Sequence, residues 1–465
     1  MPKSSPVTVE LLQKYDRPGP RYTSYPTAVE FTDAFDEETY RKHLAKANAA
    51  KDEPLSLYVH LPFCEERCSF CGCNVVVTRK RHVASDYLGF LHREIDMLAA
   101  MLPDRRRVSQ YHWGGGTPTY LPPDEIEALH RKVAEHFTIE DDAEVAIEVD
   151  PRVTTFEQLK LLRSLGFNRL SMGVQDFDPQ VQEAVNRVQP YEITKRLYDQ
   201  GRELGYHSIN IDLIYGLPLQ SPEGFGRTID QVIGLRPDRV AVYSYAFVPW
   251  IKANQKRIEE SDLPPAELKL ALFCAARNQF LEAGYEAIGM DHFAVPEDEM
   301  ASAARDRTLH RNFMGYTLKM GSDMVGVGTS AIGDVAGAFA QNEKKLSTYK
   351  AAIDAGRFPI ERGYVLDRDD TVRRDVIARM MSHFHVPKRV IEDTHGIVFD
   401  EYFAKELEEL AMDDGPRDHG FVELHTDRIE IVGNGKLFVR NVAMLFDRHL
   451  REKQGGDRPV FSRTV

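Results

Sequence analysis

Four of the five cysteines in this 465-residue chain fall within ten residues, in Cys64-Glu-Glu-Arg-Cys68-Ser-Phe70-Cys71-Gly-Cys73. The first three stand at C-x3-C-x2-C spacing behind an apolar run, Leu55 to Phe63, and Cys73 follows two residues later. Three chemistries use such a cluster. Disulfides are disfavoured, because bridges closed within so short a loop are strained and the chain shows no export signal. A structural zinc ion is usually wrapped by two short pairs with a longer spacer between them, and four sulfurs within ten residues wrap a tetrahedron poorly. An iron–sulfur cluster takes thiolates at close spacing. Three protein ligands on a cubane leave one iron with an open position, which a substrate or cofactor can occupy. Spacing and context together favour the iron–sulfur cluster, with zinc as the alternative.

The elements that must position these thiols follow a rhythm of short β-rich runs and helical segments. The runs are Leu55–His60, Gln110–Trp113, Val145–Val149, Arg169–Val174, Ser208–Ile214 and Arg239–Tyr245. Between them, Leu88, Leu91, Ile95, Leu98 and Leu102 share one helical face, as do Ile126, Leu129, Val133 and Phe137. Gly166 and Gly205 stand where helices commonly stop. Repeated β–α units predict parallel strands with right-handed crossovers, in an open sheet or a partial barrel. Cys64, Gly114-Gly-Gly116-Thr117, Glu148 with Asp150, Gln175 with Asp176, Asp212 with Tyr215, and Tyr245 with Ala246 each stand at the end of a different run. A doubly wound sheet gathers its site at one crevice, whereas six contributions in a ring favour the working face of a barrel.

The rest of the chain frames this core. A Pro- and Gly-punctuated arm (1–50) holds Pro18-Gly-Pro-Arg21-Tyr22-Thr-Ser-Tyr25-Pro26 and reads either as a disordered terminus or as an arm that packs on something. The barrel is expected over 51–290, with a long helix near Pro265–Ala283 that buries Cys274 as a small apolar residue. A closing segment over 291–365 carries the Gly-rich run Val325 to Gly333, suited to tight packing or close approach of a ligand. Residues 366–465 predict a small, mostly helical domain of winged-helix style, with a β-ribbon and a last helix near Lys436–Leu450. The runs Arg79-Lys-Arg81 and Arg105-Arg-Arg107 are expected to be solvated surface. A net charge of −13 argues against non-specific binding of nucleic acid. With no apolar run of membrane length, and no apolar core in Met1-Pro-Lys-Ser-Ser-Pro6, a cytoplasmic protein is expected.

The cysteine loop, with Phe70 before its third thiol, resembles the radical S-adenosylmethionine (SAM) superfamily. The surrounding text resembles, nearly end to end, its oxygen-independent coproporphyrinogen III oxidase family. The matching stretches include Pro20-Arg-Tyr-Thr-Ser-Tyr-Pro-Thr27, Tyr58 to Cys64, His112-Trp-Gly-Gly-Gly-Thr-Pro-Thr-Tyr120, Ile147 to Arg152, Ser171 to Phe177, Asn210 to Pro218, Gly289 to Ala294 and Phe461-Ser-Arg463. The resemblance implies an α/β fold, a partial (β/α)6 barrel open at one side. It implies a [4Fe-4S] cluster on Cys64, Cys68 and Cys71, with Cys73 not a ligand. It also implies two SAM molecules: one at Tyr58, Gly115, Glu148 and Ile332, the other at Phe70, Gly116, Thr117, Gln175, Arg187, Asp212 and Ala246. Chemically, a methionyl nucleoside needs carboxylates for its ammonium and ribose hydroxyls and an Arg for its carboxylate.

The implied reaction is reductive cleavage of SAM to methionine and a 5′-deoxyadenosyl radical. That radical takes hydrogen from the β-carbon of a propionate, and loss of CO2 and one electron leaves a vinyl group. Two such events convert coproporphyrinogen III to protoporphyrinogen IX in haem biosynthesis, in a monomer served by an unidentified one-electron donor and acceptor. Arg21 and Arg311 are the expected cationic partners of this acidic substrate, with a structural role for each as the alternative. One departure stands out: the family pattern Asn-Phe-Gln-Gly-Tyr-Thr-Thr reads here with Met314 and Leu318 in place of an amide and a hydroxyl. The rival readings are a radical-SAM haem chaperone and a zinc-bearing DNA-binding regulator.

Overall fold

The computed structural model describes residues 9–453 and 461–464. The expectation about export rests on residues 1–6, which lie outside them. The six predicted strands all form: β1 (Leu55–Leu61), β2 (Arg107–Gly115), β3 (Thr138–Val149), β4 (Arg169–Gln175), β5 (Ser208–Tyr215) and β6 (Arg239–Ser244). They pair in parallel in that order. Their inward apolar residues join the helix faces read from periodicity, so that Leu88, Leu91, Ile95 and Leu98 of the helix His82–Met101 are buried against them. Gly166 and Gly205 adopt positive φ just past their helices, where a Cβ would be strained.

The sheet is longer than the six units suggest. It has twelve strands. The Gly-rich run of the closing segment is not a loop: it contributes strand Asp323–Val327, which pairs in parallel with β1, and strand Ile332–Val335, which turns back antiparallel. Ala338–Asn342 and Ile360–Val365 extend that edge, and His292–Ala294 and Glu286–Ile288 extend the edge beyond β6. The strands of the Gly-rich run are hidden in the sequence because glycine carries little strand propensity. The glycines are needed because strands crowd there.

A second core is built from Val372, Val376, Ile377 and Met380 of the helix Arg368–His383, with Phe399, Phe421, Phe438 and Phe446. A three-stranded antiparallel sheet of His385–Pro387, Arg428–Ile431 and Val422–Leu424 lies with it. The N-terminal arm packs on this core: Tyr22 and Tyr25 are buried in it, and the Tyr22 hydroxyl donates to Asp447 at 2.9 Å. The arm also contains the helix Glu37–Asn48, whose Tyr40 and Leu44 enter the barrel core.

Three expectations are corrected. Lys436–Leu450 is not one helix, because Asp447 takes extended backbone and its side chain caps the short helix Arg448–Glu452. Cys274 is half-buried rather than buried. Arg105, expected on a solvated face, is fully buried. It donates to the carbonyls of Ala47, Glu53 and Pro54 and pairs with Asp323, which ties the chain before β1 to the neighbouring strand Asp323–Val327.

Candidate cluster and cofactor site

The cysteine loop begins on a two-residue strand, Phe63–Cys64, that pairs with Val76–Val77 and so closes the loop on itself. It is then held from outside. Asn254 Nδ2 lies within donating reach of the carbonyls of Cys68, Ser69 and Cys71, at 3.3, 3.0 and 3.0 Å. Gln255 Nε2 donates to Phe70 O at 2.9 Å and to Ala246 O at 3.0 Å, and Asn186 Nδ2 donates to Arg67 O. Backbone carbonyls tied in this way leave the thiols to point elsewhere. No motif pointed to Asn254 or Gln255, which follow β6 more than 180 residues after the cysteines.

The glycine turn after β2 docks directly on this loop. Gly116 N–H donates to Leu61 O at 2.9 Å and Thr117 N–H to Phe63 O at 2.8 Å, while the Thr117 hydroxyl stands 3.6 Å from Cys64 Sγ. The fit requires glycine. A Cβ at Gly116 would lie 2.7 Å from the Pro62 and Phe63 backbone, and Gly115, at φ 118°, would drive one to 2.6 Å from the His60 ring.

Around Cys68 the structure places cations. Arg187 Nη1 stands 3.6 Å from its Sγ and Arg152 Nη2 3.8 Å. Asp150 holds both: it accepts from Arg152 Nη2 at 2.7 Å and from Arg187 Nη1 at 3.2 Å. Against the upward pull of burial, these two guanidiniums bring Asp150 down to about 2. Burial pushes the Cys64 thiol up to about 11, whereas a hydrogen bond with Cys73 brings Cys71 down to about 6. Cys73 itself is exposed.

The thiols suit a cluster better than a single ion. A zinc–sulfur bond of about 2.3 Å requires sulfurs about 3.8 Å apart. Among the described residues, only Glu423, His425 and Glu430 close to within 4.8 Å of one another, and the cysteine trio does not. Thiols with guanidiniums beside them suit the negative charge of an iron–sulfur group.

The residues assigned by resemblance to the first SAM come together. Tyr58 lies in register with Gly326 on one side and His112 on the other, and a Cβ at Gly326 would lie 2.8 Å from Ile332 O. His60 Nε2 donates to Asn74 O at 3.1 Å, so its Nδ1 accepts from the Tyr58 hydroxyl at 3.0 Å. Glu148 accepts from Gly115 N–H at 3.1 Å and faces His112 Nε2 at 3.5 Å, with 44 % of its side chain accessible. Desolvation works to raise Glu148, and the contacts with His112, Gly115 and His60 together outweigh it, holding the carboxyl below its ordinary range.

The second set is also gathered. Gln255 joins Phe70 to Ala246. Gln175, left-handed at φ 73°, sits at a register break beside Gly173, whose carbonyl accepts from Arg187 Nη2 at 2.6 Å. Asp212 accepts from Asn210 Nδ2 at 2.8 Å and from the Ser171 hydroxyl at 3.1 Å, and burial raises it to about 6.

Arg21 and Arg311 meet through the backbone: Arg311 Nη2 donates to Arg21 O at 3.4 Å and its guanidinium lies over the Tyr316 ring. Both act on buried Asp291, where burial is opposed first by His292 and then by these arginines, which bring the carboxyl to about 2. The departures Met314 and Leu318 lie in and after the hairpin of His310–Asn312 and Gly315–Thr317. Met314 and Leu318 are fixed through their backbone N–H groups, to Asn312 Oδ1 and Glu144 Oε2, and the neighbouring Thr317 hydroxyl accepts from Gln110 Nε2 at 2.6 Å and donates to Glu144 Oε2 at 3.2 Å.

Comparison with known proteins agrees with this geometry. The radical SAM superfamily matches residues 58–232. Oxygen-independent coproporphyrinogen III oxidase of Salmonella typhimurium is 46 % identical over 446 residues, covering 95 % of both chains. That of Pseudomonas aeruginosa is 44 % identical over 98 % of both. The solved structure of coproporphyrinogen III oxidase from Escherichia coli, described as a radical SAM enzyme, superposes with TM-score 0.89 at 45 % identity, over 92 % of this chain and 98 % of that one.

Proposed function

The chain belongs to the oxygen-independent coproporphyrinogen III oxidase family of the radical SAM superfamily, and on that premise we propose how its residues divide the work. The protein is a radical SAM oxidoreductase. It converts two propionates of coproporphyrinogen III to vinyl groups, each losing one hydrogen from its β-carbon, CO2 and one electron, to give protoporphyrinogen IX.

Cys64, Cys68 and Cys71 hold the [4Fe-4S] cluster. Tyr58, Gly115, Glu148 and Ile332 line the place of one SAM, and Phe70, Gly116, Thr117, Gln175, Arg187, Asp212 and Ala246 that of a second. When bound, cluster and SAM together supply the electron and the hydrogen-atom abstraction that side chains cannot. The chain's own part is placement. Glu148 faces an ammonium, Arg187 a carboxylate and Asp212 the ribose hydroxyls. The Asn254 and Gln255 clamp keeps the thiols aimed inward. Arg21 and Arg311 meet the carboxylates of the macrocycle. The same reading carries a monomeric, cytoplasmic enzyme with a separate one-electron donor and acceptor, divided into arm (1–50), barrel (51–290), closing segment (291–365) and C-terminal domain (366–465). No helix among the described residues is long and apolar enough to cross a membrane.

The observation that carries this division is the joint between the glycine turn and the cysteine loop, with Thr117 bonded to Phe63 and beside Cys64. Anaerobic reconstitution tests it. The expected result is about four irons per chain, SAM cleavage on reduction and vinyl product from coproporphyrinogen III. A zinc-loaded or metal-free protein overturns it.

A further inference from the structure

A groove of about 700 Å³ opens between the arm at Tyr22–Tyr25, the hairpin start at Leu309–Phe313 and the helix Arg368–His383. Its size is that of a site for a large organic ligand. Its lining holds four arginines, Arg307, Arg311, Arg374 and Arg379, against two carboxylates, Asp334 and Asp375. Arg374 pairs with Asp334 and Arg379 with Asp375, so Arg307 brings a positive charge that no carboxylate of the lining pairs, while Arg311 shares the buried Asp291 with Arg21. Arg311 Nε is buried without a hydrogen-bond partner. In a chain of net charge −13, a cationic cavity is not background. Phe313, Met320, Phe339, Ile377 and Met381 supply apolar wall between the charges.

Apolar faces between guanidiniums fit a flat hydrophobic body edged with carboxylates, and fit neither a nucleic acid nor a small inorganic anion. The groove also lies away from the cysteines. The hairpin that carries Arg311 is bonded to Gln110, in the earlier half of β2, and to Glu144, at the middle of β3. Glu144 stands four residues before Glu148, a separation of about 13 Å along a strand. We propose that this groove is a docking site for the carboxylate edge of a tetrapyrrole, separate from the place where hydrogen is abstracted. Arg307 is its specific contact, Arg379 joins it by giving up its pair with Asp375, and Arg311, back to back with Arg21, is the link to the barrel. The proposal rests on the function given above. It has a use there: two propionates react in turn, so the macrocycle must be presented twice while its remaining carboxylates are held.

Equilibrium dialysis of the holoenzyme with coproporphyrin III tests it, because this oxidised tetracarboxylate cannot turn over. Arg307→Gln and Arg379→Gln are each expected to weaken binding about tenfold, to raise KM for coproporphyrinogen III by a similar factor, and to release more of the one-vinyl intermediate. The tetramethyl ester, which lacks the charges, is expected to bind wild type and Arg307→Gln alike. Arg307 is exposed, so its replacement leaves the core intact even if loss of the Arg379 pair does not. Unchanged affinity and KM in Arg307→Gln overturn the docking site while the function stands. Failure of wild type to form any vinyl product overturns the function itself.

Discussion

The cysteine end of this molecule and its arginine-lined groove are built in opposite ways. At the C-terminal ends of β1 to β6, the cysteine loop and glycine turn are short stretches whose residues stand within a few positions of one another. Their contacts are largely backbone to backbone, and substitution there is limited by sterics. At the groove, the lining comes from the arm, the closing segment and the C-terminal helices, up to 373 positions apart between Tyr22 and His395. Its contacts are between long, flexible side chains. The first construction suits a cofactor whose geometry cannot vary. The second suits a substrate that must be gripped and turned. Rigidity is thus concentrated where bond making needs it, and adaptable charge where recognition needs it.

This contrast predicts a hierarchy of effects. Cys68→Ala is expected to abolish the iron content and vinyl formation completely, yet to leave coproporphyrin III affinity within about twofold of wild type. Parallel loss of porphyrin binding in dialysis would merge the two ends into one site. Gly116→Ala comes next, because the new methyl meets backbone rather than a movable side chain. It is expected to cost about 1–3 kcal/mol in chemical denaturation and to remove SAM binding in calorimetry. Wild-type SAM affinity in that variant would show the turn to be only structural.

Arg152→Gln should act on the cluster without touching the groove. A guanidinium beside Cys68 Sγ stabilises the more negative, reduced state, so its loss is expected to lower the midpoint potential by on the order of 50 mV. Redox titration followed by EPR measures this, and Arg152→Lys should recover part of the shift. An unmoved potential would assign Arg152 to Asp150 alone.

The smallest effect concerns Glu94, which holds the turn between the strands that carry Gly326 and Ile332. It accepts from Gly328 N–H at 2.7 Å and from Asn342 Nδ2 at 2.6 Å, and burial raises it to about 7 from an ordinary 4.5. The folded state therefore binds this proton more tightly than the unfolded chain does. Glu94 is expected to withdraw stability as pH rises from about 4.5 to about 7, with the cost complete above that. Thermal melts of Glu94→Gln across this range should show a flatter profile than wild type. An unchanged slope would place the titration elsewhere.

Much of the cofactor end was legible in the sequence. Six β-rich runs and the helix faces between them were readable because period 2 and period 3.6 are written in consecutive residues. The cysteines and the Gly-Gly-Gly-Thr turn were readable because their chemistry depends on spacing within ten positions. The Gly-rich strand Asp323–Val327 was not, since its partner β1 lies over 260 residues earlier and glycine carries no strand signal. Arg105 was misplaced for a related reason: three arginines in a row read as surface unless the carbonyls that satisfy one of them are known.

By itself, then, the chain's text determined a thiol cluster on a βα core, and its resemblance to a family determined the chemistry. Only the tertiary structure decided that Asn254 and Gln255 clamp the cysteine loop, that Asp150 turns Arg152 and Arg187 toward Cys68, and that four arginines share a groove with two aspartates. Asparagine, glutamine and arginine are ordinary surface residues in any sequence. They acquire a role only when the fold removes water from around them and leaves one partner within reach.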